Sequence, residues 1–516
     1  MHPLARLDHR YLWHPFTQMR DWLKREPLII VEGQGALLRD VYGREYLDAN
    51  SSIWTNLHGH NHPRINAAMR RQLGRIAHSS ALGLGSEPAS LLAEQLVEAA
   101  NPPRLAQASS LPVKGASPPP VRQTGRLRQP PGPQPALRKV FLSDDGSTAM
   151  EVALKLAYEL ARRTGRSRRP KFLTLEGAYH GDTVGAVALG HIDLFHKAYA
   201  GLLFRTDKVM APYCYRCPFN RARPERADAR EYRKCNWECL GKVEQKFAAQ
   251  KRRRNPYAAF VFEPLMQGAA GMIPQPAGWL SRVAEIARAY GSLLIADEVM
   301  TGFGRTGLGC KCPGEAKHLP RSGSARRRAF PLFACHHEGV QPDFMAVAKG
   351  LTGGYLPMAA TLVTQAVFDA FLGEYDEFKT FFHGHSFTGN QLGAAAALAS
   401  LELLQTVSSL RARLRLERAL HDELEMLWEC PHIGDIRRVG LIAGIELVRD
   451  WRTREPFDLR ERAGIRVCEA LARRGVLTRP IGNVVVLMPP YCTTPRQVRQ
   501  MVTALAAATA VLAQRR

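Results

Sequence analysis

Five short apolar runs constrain the fold of this chain of 516 residues more than any other feature. Each run is apolar on both faces, and segments with helical periodicity separate it from the next. They occupy residues 140–143, 171–175, 259–263, 292–297 and 344–348. Strands that are buried on both faces and alternate with helices are typical of a mainly parallel sheet. The sequence therefore predicts an α/β fold with helices flanking a central sheet.

The length of the chain predicts two domains. Residues 56–384 form a predicted large domain that contains the sheet, and residues 1–55 and 385–516 together form a smaller α+β domain. Residues 103–136 are rich in Pro, Ser, Arg and Gln and lack apolar periodicity, and residues 309–331 resemble them. Both segments are predicted to be loop insertions in the large domain.

The formal net charge of +24 lies mainly in residues 101–138, 221–254 and 310–330. Such segments are typical of solvated basic loops, so nucleic acid is not an expected partner. The N-terminus lacks an apolar signal core, and no apolar stretch is long enough for a membrane span. A cytoplasmic protein without membrane association is therefore expected.

Four cysteines form two pairs at spacings that resemble zinc ligands, namely Cys214 with Cys217 and Cys235 with Cys239. The second spacing is one residue longer than is usual in a zinc knuckle. A structural metal and free thiols both remain open, and no metal ligand is assigned.

An acid and a lysine follow two of the apolar runs. Asp297 ends the run at 292–297, and Lys349 comes directly after the run at 344–348. Side chains at the carboxyl ends of parallel strands meet in one crevice. A lysine that forms a Schiff base and an acid that keeps a pyridine nitrogen protonated are what a pyridoxal phosphate enzyme requires. The pair therefore indicates this cofactor.

Other polar groups follow neighbouring strands. Gly146 and Ser147 open a predicted helix, where backbone N–H groups and a hydroxyl suit a phosphate, although the same residues also suit an ordinary helix cap. Tyr179 follows another strand and either stacks on a flat cofactor or packs in the core. Glu263 ends the run at 259–263 and points into the same crevice.

Several motifs carry a resemblance to a known family. They are Tyr11-Leu-Trp-His-Pro-Phe-Thr-Gln-Met19 and residues 50–54, 59–63, 382–390 and 477–480, beside the Asp297 and Lys349 segments. With them the chain resembles the class III aminotransferases of the fold-type I pyridoxal phosphate enzymes over nearly its whole length. Within that class it is most similar to the 8-amino-7-oxononanoate aminotransferases, or 7,8-diaminononanoate synthases, of biotin biosynthesis.

The resemblance implies a set of site residues. The implied catalytic residues are Lys349, Asp297 and Tyr179; the cofactor-binding residues are Gly146, Ser147, Tyr179, Glu263, Asp297, Lys349, His385 and Ser386; the substrate-binding residues are Phe16, Trp54, Tyr179, Lys349, Gly384 and Arg479. Lys349 would shuttle the proton, and Arg479 would pair with the substrate carboxylate. The resemblance also implies a homodimer with shared sites, in which Gly384, His385 and Ser386 serve the neighbouring subunit.

The implied reaction transfers an amino group to 8-amino-7-oxononanoate in a ping-pong cycle. The donor stays open between S-adenosylmethionine and L-lysine, because Phe16 stands where some relatives carry Tyr. Ser386 replaces a more usual threonine and keeps the hydroxyl. One alternative is another class III transaminase that acts on ω-amines, ornithine or 4-aminobutyrate. A second alternative is a catalytically dead transaminase fold that serves as a basic binding scaffold, which the intact Lys349, Asp297 and Ser147 argue against.

Overall fold

The computed structural model describes residues 1–102, 135–308 and 331–513. The predicted insertions at 103–136 and 309–331 lie almost entirely outside the described residues. The strands are β1 Ile30–Gln34, β2 Leu37–Asp40, β3 Glu45–Asp48, β4 Leu137–Ser143, β5 Phe172–Leu175, β6 Asp207–Val209, β7 Ala259–Phe262, β8 Met266–Gln267, β9 Ile273–Pro274, β10 Leu293–Asp297, β11 Phe344–Val347, β12 Ala359–Thr364, β13 Ile433–Val439, β14 Ile442–Asp450, β15 Glu455–Pro456, β16 Val476–Leu477, β17 Pro480–Ile481 and β18 Val484–Leu487.

The α-helices alternate with these strands through the middle of the chain. They are α1 Pro3–Tyr11, α2 Met19–Trp22, α3 Ser51–Trp54, α4 Pro63–Leu73, α5 Glu87–Ala100, α6 Gly146–Arg163, α7 Val184–Leu189, α8 Asp193–His196, α9 Ala229–Tyr232, α10 Glu238–Arg252, α11 Trp279–Ala289, α12 Gln365–Asp369, α13 Gln391–Leu404, α14 Val407–Leu424, α15 Ala463–Ala472 and α16 Pro495–Ala508.

The central sheet has the strand order β4-β12-β11-β10-β7-β5-β6 within the described residues. Strand β12 runs antiparallel to β11 and β4, and the pairs β11–β10, β10–β7, β7–β5 and β5–β6 are parallel. The five predicted runs correspond to β4, β5, β7, β10 and β11, so the mainly parallel α/β fold is confirmed. The sequence did not identify β6 and β12.

Helices cover both faces of this sheet. The residues of β10 alternate between two apolar clusters, as the pleat of a strand requires. Ile295 faces the cluster that contains the buried face of α6, whereas Leu294 and Ala296 face the cluster that contains α10 and α11. Apolar side chains of the helices cover both faces of the sheet. The polar groups that follow the strands therefore lie together at the carboxyl ends of the strands.

Both ends of the chain contribute to one further sheet. Strand β16 near the C-terminus pairs in parallel with β3 near the N-terminus, and β2 and β1 extend the sheet. A five-stranded sheet contains β13, β14, β15, β17 and β18. The domain limits at residues 55 and 384 stay a prediction.

In the described part of the chain, no single helix is long and apolar enough to cross a membrane. The segments Gln391–Leu404 and Val407–Glu429 reach that length and composition only as a pair, with a bend of 72° between them. The first of the two, α13, is largely buried and packs against α4 and α5.

Candidate active site

A cavity of about 430 Å³ lies at the carboxyl ends of β7 and β10, beside the start of α6 and the residue after β11. Seven of the predicted site residues line it: Trp54, Gly146, Ser147, Tyr179, Glu263, Asp297 and Lys349. Trp54, at the end of α3, and Lys349 are 295 positions apart in the sequence. The other six residues end or follow strands of the central sheet and come together because parallel strands direct their carboxyl ends to one side of the sheet.

Lys349 enters the cavity from a strained backbone position. Its φ angle is +44°, a value that L-residues adopt at a cost. Its Nζ lies 4.8 Å from the centroid of the Trp54 ring. Burial lowers the pKa of the Lys349 ammonium, while the charges of Asp297 and Glu263 oppose this shift. Burial therefore favours the neutral amine, which is the nucleophilic form.

Asp297 is held by two donors at the end of β10. His180 Nδ1 lies 2.7 Å from Asp297 Oδ2, and the backbone N–H of Val299 donates to Oδ1 at 3.1 Å. Both His180 and Asp297 are buried. The Nε2 atom of His180 is also buried and has no hydrogen-bond partner among the described residues. The carboxylate is therefore fixed in position inside the cavity wall.

The first residues of α6, Gly146 and Ser147, line the cavity. Asp145 caps the helix, since its side chain accepts from Thr148 N at 2.9 Å. A Cβ on Gly146 would stand 2.8 Å from Val299 Cγ1, and one on Gly181 would stand 2.1 Å from Ser147 Oγ. These two glycines leave the helix start open, and such a start suits a phosphate.

Glu263 connects two loops of the cavity wall. Its carboxylate accepts from Gly268 N at 2.7 Å and from Tyr179 N at 3.3 Å. Burial raises the pKa of Glu263 to about 7; the charge of His180 opposes the shift and that of Asp297 adds to it. Tyr179 is fixed at its other end as well, because its hydroxyl donates to Asp182 Oδ2 at 2.8 Å. Glu263 thus holds the Tyr179 backbone in place.

Phe16 and Arg479 lie outside the cavity lining but contact each other. Arg479 Nη2 donates to the Phe16 carbonyl at 3.3 Å. The ring of Phe16 meets the ring of Phe195 edge to face at 5.2 Å between centroids, and Phe195 meets Tyr179 in the same way at 6.4 Å. Aromatic rings therefore extend from the cavity wall toward Arg479.

Gly384, His385 and Ser386 also lie outside the lining of the cavity. Gly384 and Ser386 are exposed, and His385 Nδ1 lies 3.6 Å from Oδ2 of Asp144, which does line it. The Ser386 carbonyl accepts from His78 Nε2 at 2.9 Å. Within one chain, these three residues do not join the other predicted site residues.

Sequence reasoning did not assign His180 or Phe195 to the site. His180 directly follows Tyr179, which was its one local signal; its partner Asp297 is 117 positions away. Phe195 carries no motif signal. As for metals, no group of three or more His, Cys, Asp or Glu side chains within residues 1–102, 135–308 and 331–513 is placed to hold an ion.

Comparisons with known proteins agree with this site. The sequence model of the family "Aminotransferase class-III" matches residues 19–313 and 326–509. The chain belongs to this family, as its sequence motifs predicted, and is an aminotransferase. It is similar to the adenosylmethionine-8-amino-7-oxononanoate aminotransferase of Geobacter sulfurreducens, with 44% identity over 96% of this chain and 95% of that protein.

Solved structures give the same result. The adenosylmethionine-8-amino-7-oxononanoate aminotransferase of Methanocaldococcus jannaschii superimposes with a TM-score of 0.80 and 36% identity, over 98% of each chain. An amine transaminase from an uncultivated Pseudomonas species, in its PLP-bound form, superimposes with a TM-score of 0.78 and 28% identity, over 97% of this chain and 98% of that one.

Proposed function

We propose that this aminotransferase uses pyridoxal phosphate to convert 8-amino-7-oxononanoate into 7,8-diaminononanoate in biotin biosynthesis. The observation that carries the proposal is the cavity in which Lys349, Asp297 and the α6 N-terminus converge, with Arg479 beyond an aromatic wall. The printed names of the similar proteins support this acceptor.

The residues of the cavity fit pyridoxal phosphate. Gly146 and Ser147 would hold the phosphate, because only glycine leaves space at the start of α6. Asp297 would pair with the ring nitrogen, and Tyr179 would cover the ring. When bound, this cofactor supplies an electron sink that stabilises negative charge on the substrate carbon.

The chemistry of the chain itself is proton movement and positioning. Lys349 Nζ, which burial makes easier to deprotonate, would be the base that takes a proton from the donor carbon in the first half of the cycle. It would be the acid that gives a proton to the acceptor carbon in the second half, with the bound cofactor as the other proton site in each half. His180 would keep the Asp297 carboxylate in place, since its Nδ1 lies 2.7 Å from Asp297 Oδ2. Trp54 beside Nζ would exclude water from this proton path.

The acceptor is a long apolar chain with one terminal carboxylate. The Phe16 and Phe195 rings suit such a chain, and the exposed guanidinium of Arg479 suits its carboxylate. This pairing favours 8-amino-7-oxononanoate over ornithine or 4-aminobutyrate, because their shorter chains offer less apolar surface to the rings.

The amino donor is proposed to be S-adenosylmethionine, which the names of the relatives print. L-Lysine is the alternative, since Phe16 lacks the hydroxyl associated with S-adenosylmethionine use. Parallel assays of one preparation with each donor decide between them. If the enzyme turns over with lysine and not with S-adenosylmethionine, lysine is the amino donor.

A homodimer with shared sites is part of the proposal. The surface near Gly384 exposes the large apolar side chains of Phe382 and Phe387, which are 72% and 60% exposed. Patches of this kind mark protein interfaces. Mixing Lys349→Ala and Ser386→Ala subunits should restore activity, because the mixed dimer contains one intact site. A monomer in light scattering would contradict this part.

The main experiment treats purified protein with pyridoxal phosphate and then with borohydride. Label on Lys349, found by mass spectrometry and absent in Lys349→Ala, supports the cofactor. Turnover of 8-amino-7-oxononanoate and rescue of a biotin auxotroph blocked at this step support the substrate. Turnover of ornithine or a simple ω-amine without rescue would favour the other class III activities, and no cofactor label would favour the scaffold.

A further inference from the structure

Phe195 links the cavity to Phe16 and Arg479, two of the three predicted substrate-binding residues that lie outside it. It is partly buried on the short helix α8, Asp193–His196. In the sequence it lies outside every motif of the family resemblance. Its ring meets Tyr179 on one side and Phe16 on the other, both edge to face. Edge-to-face pairs at these distances have a preferred geometry, so the position of one ring restricts the position of the next.

The segment that carries Phe195 is anchored to the Tyr179 loop. The N–H of His191 donates to the Ala178 carbonyl at 2.9 Å. The ring of His196 lies parallel to the Tyr179 ring, with an interplanar angle of 11° and 6.2 Å between centroids. A Cβ on Gly190 would stand 2.3 Å from His196 Cε1, so only glycine permits this approach. Phe195 is therefore held in a fixed relation to the cavity wall.

Phe16, by contrast, has little support of its own. It is 60% exposed, and its backbone has a φ angle of +49°. Its ring contacts Phe195, and its carbonyl accepts the hydrogen bond from Arg479 Nη2. Arg479 is exposed as well, so its guanidinium has many accessible positions unless a partner selects one. The Phe195 ring thus supports Phe16, and the Phe16 carbonyl in turn orients Arg479.

We infer that Phe195 is a specificity-determining residue, which positions Phe16 and, through the Phe16 carbonyl, the Arg479 guanidinium. Phe195 thereby favours acceptors that carry a carboxylate at the far end of an apolar chain, where Arg479 can bind it. This inference rests on the proposed function, because it assigns Arg479 to the acceptor carboxylate. Phe195 acts through its neighbours and is a positioning residue for the guanidinium.

The test compares two acceptors, 8-amino-7-oxononanoate and its neutral carboxamide. Phe195→Ala should lower the ratio of their kcat/KM values about three- to tenfold, the range that the energy of one aromatic pair permits. The KM for the carboxylate acceptor should rise, and the KM for the carboxamide should change little. Phe195→Tyr keeps the ring and should retain the wild-type ratio. Leu194→Ala, at the neighbouring position that is 75% exposed, is the matched control and should leave the ratio unchanged.

A second arm uses the Arg479→Ala background. Since Phe195 acts through Arg479, adding Phe195→Ala there should not lower the ratio further. Equal losses for both acceptors, or a further loss in the Arg479→Ala background, would overturn the inference. If wild-type protein does not turn over the carboxylate acceptor at all, the proposed function fails instead. If Phe195→Ala does not fold, Phe195→Leu replaces it in both arms. Leucine keeps an apolar group of similar volume but has no ring.

Discussion

At the scale of single residues, the contact between His180 and Asp297 has the clearest consequence for activity. A hydrogen bond to a buried charged group contributes about 1.5–3 kcal/mol. His180→Phe removes the donor and should lower kcat/KM about ten- to hundredfold. His180→Asn places an amide N–H near the position of Nδ1 and should recover part of the loss. Steady-state assays with the amino acceptor measure both variants.

The matched control for this pair is His191→Asn. His191 is in the same region, contacts Thr206 Oγ1 at 3.2 Å and does not line the cavity. It should change kcat/KM by less than about threefold, since a removed contact outside the site affects stability alone. Equal activity of His180→Phe and wild type would contradict the role of His180.

The carboxyl of Glu263 should make stability depend on pH. Burial in the folded chain raises the pKa of this carboxyl from its ordinary value of 4.5 to about 7. Between these values the folded state binds more protons, so the free energy of unfolding falls as pH rises from about 4.5 to 7 and is constant above that. This loss totals about 3 kcal/mol. Glu263→Gln cannot ionise and should not show it.

Melting temperatures without added cofactor, measured from pH 5 to pH 8, test this pH dependence. Near pH 5 the variant should be the less stable protein, because glutamine offers one acceptor oxygen to the two N–H groups that Glu263 binds. Near pH 8 it should be the more stable protein. Glu32→Gln, at an exposed position, should run parallel to wild type. Parallel curves for Glu263→Gln and wild type would contradict the assignment.

At the scale of elements, the two ends of α6 provide a matched pair of glycines. Gly181, with φ +124°, packs against Ser147 at the start of the helix, and a Cβ there would collide with Ser147 Oγ at 2.1 Å and with its Cα at 2.8 Å. Gly181→Ala should therefore weaken the binding of pyridoxal phosphate at least about tenfold, because the collision displaces the phosphate-binding turn. Fluorescence titration with the cofactor measures this affinity.

The control lies at the opposite end of the same helix. Gly165 also has a left-handed backbone, with φ +69°, but a Cβ there meets nothing within 4 Å. Gly165→Ala should cost about 1 kcal/mol of stability and leave the cofactor affinity unchanged. Equal affinities in Gly181→Ala and Gly165→Ala would show that the collision at Ser147 does not displace the phosphate-binding turn.

The sequence predicted the elements that carry the site much better than the contacts between them. The apolar runs predicted a parallel sheet. Since the carboxyl ends of parallel strands meet on one side of a sheet, Asp297, Lys349 and the start of α6 were expected to lie together there. The partners of these residues are set by packing between distant segments. His180 reaches Asp297 across 117 positions, and Arg479 reaches Phe16 across 463. Neither distance leaves a local pattern in the sequence.

At the scale of the whole molecule, a buried ion network connects the C-terminal sheet to the segment between β6 and α10. Glu446 on β14 accepts from Tyr213 Oη at 2.6 Å and from Arg216 Nε at 2.7 Å. Arg437 Nη2 on β13 lies 2.6 Å from Glu446 Oε2. Glu446 and Arg437 are buried, and Arg437 Nη1 also lies 3.2 Å from Asp435 Oδ2. Removal of the Glu446 carboxylate therefore leaves the buried guanidinium with one of these two carboxylates in place of both.

Glu446→Gln should therefore destabilise the protein by roughly 3–5 kcal/mol, the cost of breaking a buried ion pair. Glu461→Gln is the matched control, because it breaks the partly exposed ion pair with Arg449 and should cost less than about 1 kcal/mol. Melting temperatures at constant pH and cofactor concentration compare the two variants with wild type. A melting temperature of Glu446→Gln that matched that of Glu461→Gln would show that apolar contacts hold the C-terminal sheet to the segment between β6 and α10, and that the ion network adds no measurable stability.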